Sequence, residues 1–404
     1  MRLAAAILAL VIASGCEAAG DAASLPDRRL TPTAELRIGS LDDPASALSN
    51  VAAISVGADG RIYSLHPQEE RIRIHDAAGA PAGFIGREGA GPGEFGRPSA
   101  MGWLADTLWV LDASTNRFSY FDTGGTLLRT QTVSVAPYTP SNRNPPRPHG
   151  LLSDGTIFHA TSMRGPAVAN GSITESAVER LDLQATVIDT VYTRSLVNSN
   201  WHVQEPDEPD GIAWNGDQPL SDAELVRHSP SSSDIVRVRR TPAGTAGLEA
   251  FRVSRVTFAG DTLFSREYPY AARPVERALV DSLVQAFMDF VAEGAEESPE
   301  VWTPVRAGEL ARASLYVPPT QPPVTELHIG HDGSIWLRRE MTVGAASDWL
   351  VLSPEGEVVG TVALPANLKI LAAEQGRLWG VETDELDVPY IVRYGVALAG
   401  GDVP

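Results

Sequence analysis

Apolar and polar residues alternate along most of this chain in short runs, each bounded by a tight-turn signal. Residues 51–56, 61–65, 71–76 and 82–85 are four such runs, with turns at 58–60 and 77–80 between them. Alternation with period two predicts strands that bury one face. Asp-Gly between two runs predicts a hairpin, because both central residues can take positive φ. The pattern is then written a second time over residues 101–133. Ile62-Tyr63 falls on Leu108-Trp109, Arg71 on Arg117, Asp76 on Asp122 and Gly79 on Gly125, all at an offset of 46. Between the two copies lies a stretch, residues 84–98, with five glycines and two prolines. Such a cluster punctuates structural units.

A strand-and-turn repeat of about 40 to 50 residues is the signature of a propeller blade. Four more groups follow. The third has runs at 156–159, 178–183 and 186–192, with the turn Ser153-Asp154-Gly155. The fourth has runs at 234–239, 249–258 and 262–269, with the turn Gly260-Asp261. The fifth has runs at 325–329, 334–338, 349–352 and 358–364, with the turn His331-Asp332-Gly333. The sixth, at 368–372, 377–381 and 390–394, has only three runs, while residues 34–38 stand as a spare strand before the first group. Pairing that strand to the sixth group would close a ring and cover an exposed edge. The expectation is an all-β, six-bladed β-propeller over residues 34–397, closed by its N-terminal strand.

Three segments stand outside the repeat. Residues 136–149 form a proline-rich loop. Residues 195–233 are long and polar, with an acidic run at 205–211. Residues 275–293 place Leu279, Leu283, Phe287 and Phe290 at helical spacing, with Pro274 before and Gly294 after. That spacing predicts one inserted amphipathic helix. In a strictly antiparallel blade, the turns after strands one and three share one face of the disc. The long connections, which follow strands two and four, share the other.

Composition changes the picture in two places. The formal net charge of −19 repels phosphate backbones and argues against nucleic acid as a partner. At the N-terminus, Arg2 precedes an apolar run at 3–13 and then Ala13-Ser14-Gly15-Cys16. Residues 1–16 read as a targeting segment to be left out of the fold, and residues 17–33 as a flexible tether. The segment resembles a bacterial lipobox, which implies lipidation at Cys16. Cys16 is the one cysteine in the chain, so no intramolecular disulfide can form.

Taken together, the repeats, the leader and two motifs resemble the bacterial six-bladed β-propeller lipoproteins, akin to NHL-repeat propellers. The motifs are Ile85-Gly86-Arg87-Glu88-Gly89-Ala90-Gly91-Pro92-Gly93-Glu94-Phe95 and Asp384-Glu385-Leu386-Asp387-Val388-Pro389-Tyr390-Ile391-Val392. The resemblance implies a monomer in the bacterial cell envelope, periplasmic or surface-exposed, touching the membrane through its lipid alone. Fold does not specify activity.

The sequence carries no nucleophile-elbow motif, zinc-protease helix, phosphate loop or paired-cysteine site. Eight histidines are scattered without ligand spacing, and His331 reads as a turn residue. The acidic run lacks the regular alternation of a calcium loop and reads as solvated loop; Ca2+ is the cofactor it would take if it took one. The functional expectation is therefore a non-catalytic binding or scaffold propeller for a protein, peptide or carbohydrate. The alternative is a metal-dependent hydrolase or lactonase using Asp112, Asn116, Glu340 and Asp384. Binding residues concentrate where loops are elaborated on a rigid scaffold. The long-loop face offers Arg87, Glu88, Glu94 and Arg97 from the Gly-rich stretch. His66, Asp112, Arg117, Arg164, Arg338 and Glu382 join them from connections after second strands. These ten are the candidate ligand-binding residues.

Overall fold

A computed structural model describes residues 25–26, 28–40, 46–137, 145–160, 168, 171–205, 213–240, 249–295, 303–339 and 346–398. Cys16, Arg164, Glu340 and all of the acidic run beyond Glu205 lie outside the described residues.

The first four repeats each fold as a four-stranded antiparallel sheet. The first sheet comprises Ala53–Val56, Ile62–His66, Arg71–His75 and Pro81–Ile85. The second comprises Pro98–Leu104, Thr107–Asp112, Arg117–Phe121 and Leu127–Thr132. The third comprises Gly150–Leu151, Ile157–Ala160, Glu175–Leu181 and Val187–Ser195. The fourth comprises Leu225–His228, Asp234–Arg239, Glu249–Thr257 and Thr262–Tyr270. Burial grades outward in each: every residue of Ile62–His66 and Arg117–Phe121 is buried, whereas Leu127–Thr132 is largely exposed.

The remaining strands differ from the expectation of two more separate blades. Glu326–Ile329, Ile335–Arg339, Ala346–Leu352 and Val358–Pro365 share one eight-stranded sheet with Lys369–Glu374, Arg377–Thr383, Pro389–Leu398 and the N-terminal strand Arg29–Ile38. The N-terminal strand runs antiparallel to Pro389–Leu398 from Leu30↔Leu398 to Ile38↔Ile391. It begins at Arg29, inside the segment read as tether. Its first two residues therefore also reach Thr361 and Val362, in parallel, and fuse the two halves.

Side chains tie the sheets into a propeller-like ring. One apolar cluster joins the first and second sheets through Tyr63, Phe95 and Phe121, and another joins the second and third through Trp109, Phe118 and Leu181. Val253, Phe251 and Leu350 join the fourth sheet to the 326–365 strands. Trp336, Val362 and Val392 join the halves of the eight-stranded sheet, and Ile38, Ile54 and Trp379 close back onto the first. Among the described residues, the joint between the third and fourth sheets has no such cluster. Phe158 against His228, at 4.9 Å between ring centroids, and Arg180 over the Phe258 ring at 5.6 Å bridge it.

Among the described residues, two helices stand between the fourth sheet and Glu326–Ile329 where one was expected: α1 (Arg277–Ala295) and α2 (Pro304–Ser314). The segment read as polar loop also contains a hairpin, Asn200–Gln204 with Ala213–Asp217. All three form one cap, with Trp201, Phe287, Val291 and Leu310 as its core. Gln218 pins the cap by donating to the carbonyls of Asn200 and Ser314 and accepting from the Tyr316 amide. Two of the long connections thus pack on each other.

Candidate functional site

The Gly-rich stretch is built as a self-satisfied knot. Phe95 is fully buried beneath it, and Gly86, at φ 83°, lies where a Cβ would sit 2.2 Å from the Phe95 ring, so no other residue fits there. Arg117 donates to the carbonyls of Ala90, Gly91 and Glu94 at 2.6 to 2.7 Å. Glu94 accepts from the Gly91 amide and from Arg87, and the Arg87 hydrogen bond leads in holding its carboxyl below the usual range. Asp112, wholly buried, accepts from the amides of Gly96, Arg97 and Ser114 and from the hydroxyls of Ser114 and Thr115. Burial pushes its carboxyl up, but these bonds outweigh it and hold it down. Arg87, Glu88 and Arg97 keep exposed side chains.

The other sequence candidates are dispersed. Arg338 pairs with Glu326, and Glu382 accepts from Tyr394 and Arg37. Asp384 caps a turn by accepting from the amides of Leu386 and Val388. His66 is the most informative. Ser64 Oγ lies 2.9 Å from Nε2, Ser49 Oγ lies 3.1 Å from Nδ1, and Ser49 donates in turn to Glu69. That orientation makes Nδ1 the proton-bearing nitrogen. The hydrogen-bonded chain resembles a hydrolytic triad with Ser49 interposed before the carboxylate, yet Ser64 and His66 are both 0% exposed, so no substrate reaches them.

This burial has a measurable consequence. Burial leads in pushing the His66 imidazole down to about 4, with Glu69 opposing it. An unfolded histidine titrates near 6.5, so the unfolded chain takes up a proton between pH 6.5 and 4 that the folded chain refuses. Stability is then full above pH 6.5 and is lost as pH falls toward 4, by about 3 kcal/mol for this residue. Denaturant melts at pH 7.5 and 4.5 should show that loss, and His66→Gln should reduce it by this share, leaving what the other buried histidines contribute.

None of the nine candidates among the described residues lines the central channel, a cavity of about 690 Å3. Its wall comes from the first strand of every sheet: Ser55, Gly102, Leu151, His228, Ile329 and Ala372 each face it, one from each repeat. Small residues such as Ala53, Ala100 and Ala372 keep it open. Gly102 belongs with them, because a Cβ there would sit 2.9 Å from the Trp109 indole. Trp103, Trp109, Phe158 and Trp379 supply aromatic surface. The lining continues into Ala58, Asp106, Pro230 and Asp332 in the turns after first strands, and into Glu374 at the end of its strand, so the channel opens on the short-turn face.

Two histidines on its wall are held neutral at pH 7. His149 accepts at Nδ1 from the Ala160 amide at 3.1 Å, leaving Nε2–H free to donate. Burial, and then His159 at 5.1 Å between ring centroids, lower its pKa. His228 is half-buried; burial first and Arg227 second push it down to about 4. Neutral imidazoles both donate and accept, and they can do so beside aromatic faces without a charge. Among the described residues, no three histidine, cysteine or carboxylate side chains converge as a metal site. Sequence reasoning missed this wall because each lining residue is ordinary where it stands. The signal available was the recurrence of small residues at first-strand positions.

The architecture is that of an all-β protein with a propeller-like arrangement of sheets around a channel. The chain is similar over 93% of its length to the whole of a member of the DUF4221 family from Bacteroides vulgatus, with a TM-score of 0.50 and 12% identity. It is also similar, over 93% of its length and 98% of theirs, to the calcium-binding protein regucalcin from Agrobacterium tumefaciens, at a TM-score of 0.39 and 12% identity. Virginiamycin B lyase from Staphylococcus aureus aligns over 91% of this chain and 98% of its own, at a TM-score of 0.35 and 12% identity. At such identities the first likeness shows the fold alone. Comparison with protein-family models and with curated proteins gave no match.

Proposed function

We propose that this chain is a non-catalytic binding protein of the bacterial cell envelope, a six-bladed propeller that takes its ligand in the central channel. The eight-stranded sheet counts as two blades of four, whose strand ladders meet where Arg29 and Leu30 pair with Thr361 and Val362. The observation that carries the reading is the channel itself. A cavity of about 690 Å3 falls within the span of small-molecule sites. Aromatic walls and neutral imidazoles suit an uncharged ligand with apolar faces and hydrogen-bonding edges, of the kind a sugar or a peptide segment presents. Protein purified from its own envelope should carry one small molecule detectable by native mass spectrometry. Phe158→Ala and His228→Ala should lose it, and retention in both variants would count against the channel.

The envelope location rests on the N-terminal leader. No described helix is long and apolar enough to cross a membrane. A diacylglyceryl group on Cys16 supplies the two chains that stable anchoring needs. Cys16→Ser is expected to shift the protein from the membrane pellet to the soluble fraction, or to block its maturation. An unchanged pellet fraction would remove the anchor from the account.

A further inference from the structure

Besides its histidines, the titratable residues of the channel lining are all carboxylates. Asp106, Asp332 and Glu374 line it, and among the described residues no lysine or arginine does. They come from three repeats, each at the end of a first strand. Asp106 follows Pro98–Leu104, Asp332 follows Glu326–Ile329, and Glu374 closes Lys369–Glu374. The joints between sheets run in ring order, so the second sheet lies across the channel from the 326–365 strands. Asp106 and Asp332 therefore flank the mouth from opposite sides. Asp332 is fixed there, accepting from the Ser334 amide and hydroxyl and from the Gln375 amide of the next repeat at 2.7 Å.

Pairing separates these carboxylates from their counterparts. Asp59, Asp154 and Asp234 also lie at or just beyond the turns after first strands, but off the channel. Each has an arginine: Arg61, Arg180 and Arg255 respectively. Among the described residues, the three on the channel make no ion pair. Even Arg377, three residues beyond Glu374, turns to Glu35. At the far end His149 stands just before the first strand of the third sheet, so the lining is acidic at the mouth alone.

We propose that the channel selects ligands bearing an ammonium group, held at the mouth by Asp106, Asp332 and Glu374, with an uncharged body against the tryptophan walls. This rests on the reading of the channel as the ligand site. Unpaired carboxylates on opposite sides of a walled opening concentrate cations there. The indole faces of Trp103, Trp109 and Trp379 attract a cation as well. A peptide amino terminus and an amino sugar both offer this chemistry.

The test is isothermal titration of the intact protein with two pairs of probes: phenylalanyl-leucine amide and glucosamine, each against its N-acetyl form. Low ionic strength keeps the mouth unscreened, and near pH 6.5 an α-amino group is charged. In at least one pair the ammonium form should bind about tenfold more tightly. The pair that shows the preference identifies the source as peptide or amino sugar. Asp106→Asn and Glu374→Gln, at side chains with no partner to lose, should each shrink it about two- to fivefold. Asp261→Asn removes the same charge from the outer turn of the fourth sheet and should leave it unchanged. Equal affinity of the two forms in both pairs, no binding of either ammonium probe, or a preference that Asp261→Asn reduces as much as the channel variants do overturns the inference. The channel reading is judged apart from it: a neutral molecule carried from the envelope and lost in Phe158→Ala would keep the channel and remove the ammonium.

Discussion

Removing residues 29–38 is expected to unfold the protein. The strand Arg29–Ile38 is the one element that pairs with Pro389–Leu398 along its outer edge and also touches Thr361 and Val362. It carries Leu30 into the core between the halves of the eight-stranded sheet and Ile38 into the core shared with the first sheet. Burying two such side chains contributes about 3 to 6 kcal/mol. Against a total of roughly 5 to 15 kcal/mol, that loss is decisive before any hydrogen bond is counted. The deletion also bares a ten-residue edge, a template for aggregation. The expected outcome is insoluble protein, or a melting temperature lower by about 10 °C or more. A deletion variant that melts like the full chain would show that the ring does not depend on this strand.

Arg255→Ala should cost about as much at a single position. Arg255 and Asp234 are 6% and 4% exposed, and Arg255 Nε lies 2.9 Å from the Asp234 carboxylate. The same guanidinium donates to Ser232 and to the carbonyls of Gly333 and Pro354, so it bolts the fourth sheet to the 326–365 strands. Truncating it strands a buried carboxylate and leaves carbonyls unpaired, a loss of about 3 to 5 kcal/mol. The exposed pair of Arg87 with Glu94 is the comparison: Arg87→Ala should change stability by no more than about 1 kcal/mol. Urea melts of the two variants decide it, and equal midpoints would contradict the structural role of the Arg255 pair.

The sequence announced some of this architecture because turns and periods are local. Asp76 and Asp122 accept from the amides two and four residues on, which is why Asp-x-x-Gly recurs at fixed offset. The α1 helix was legible from its apolar spacing. Leu225–His228 was not, because a strand that lines a channel shows Arg227 and His228 where a core strand would show apolar residues. The cap hairpin was hidden for a related reason: its buried face, Trp201, Val203 and Trp214, is completed only by α1 and α2, far along the chain. The second helix did announce its start, with Thr303 accepting from the Arg306 amide and Pro304 in the first turn, but the flanking charges masked it. The candidate residues teach the same lesson about function. The Gly-rich stretch draws attention by composition, yet Arg117, Glu94 and Asp112 spend their polar groups on its own backbone. The channel is assembled from single residues one repeat apart, none conspicuous by itself.

The central claim is that the channel holds the ligand, and the most direct measurement is tryptophan fluorescence with fractions of the native envelope. Trp103, Trp109 and Trp379 line the cavity, so a ligand seated there must change their emission. The account predicts a saturable change in wild-type protein and its loss when Ala372→Trp narrows the channel, with circular dichroism showing the variant folded. An envelope component that binds wild type and the folded, narrowed variant equally well would place the site elsewhere and contradict it.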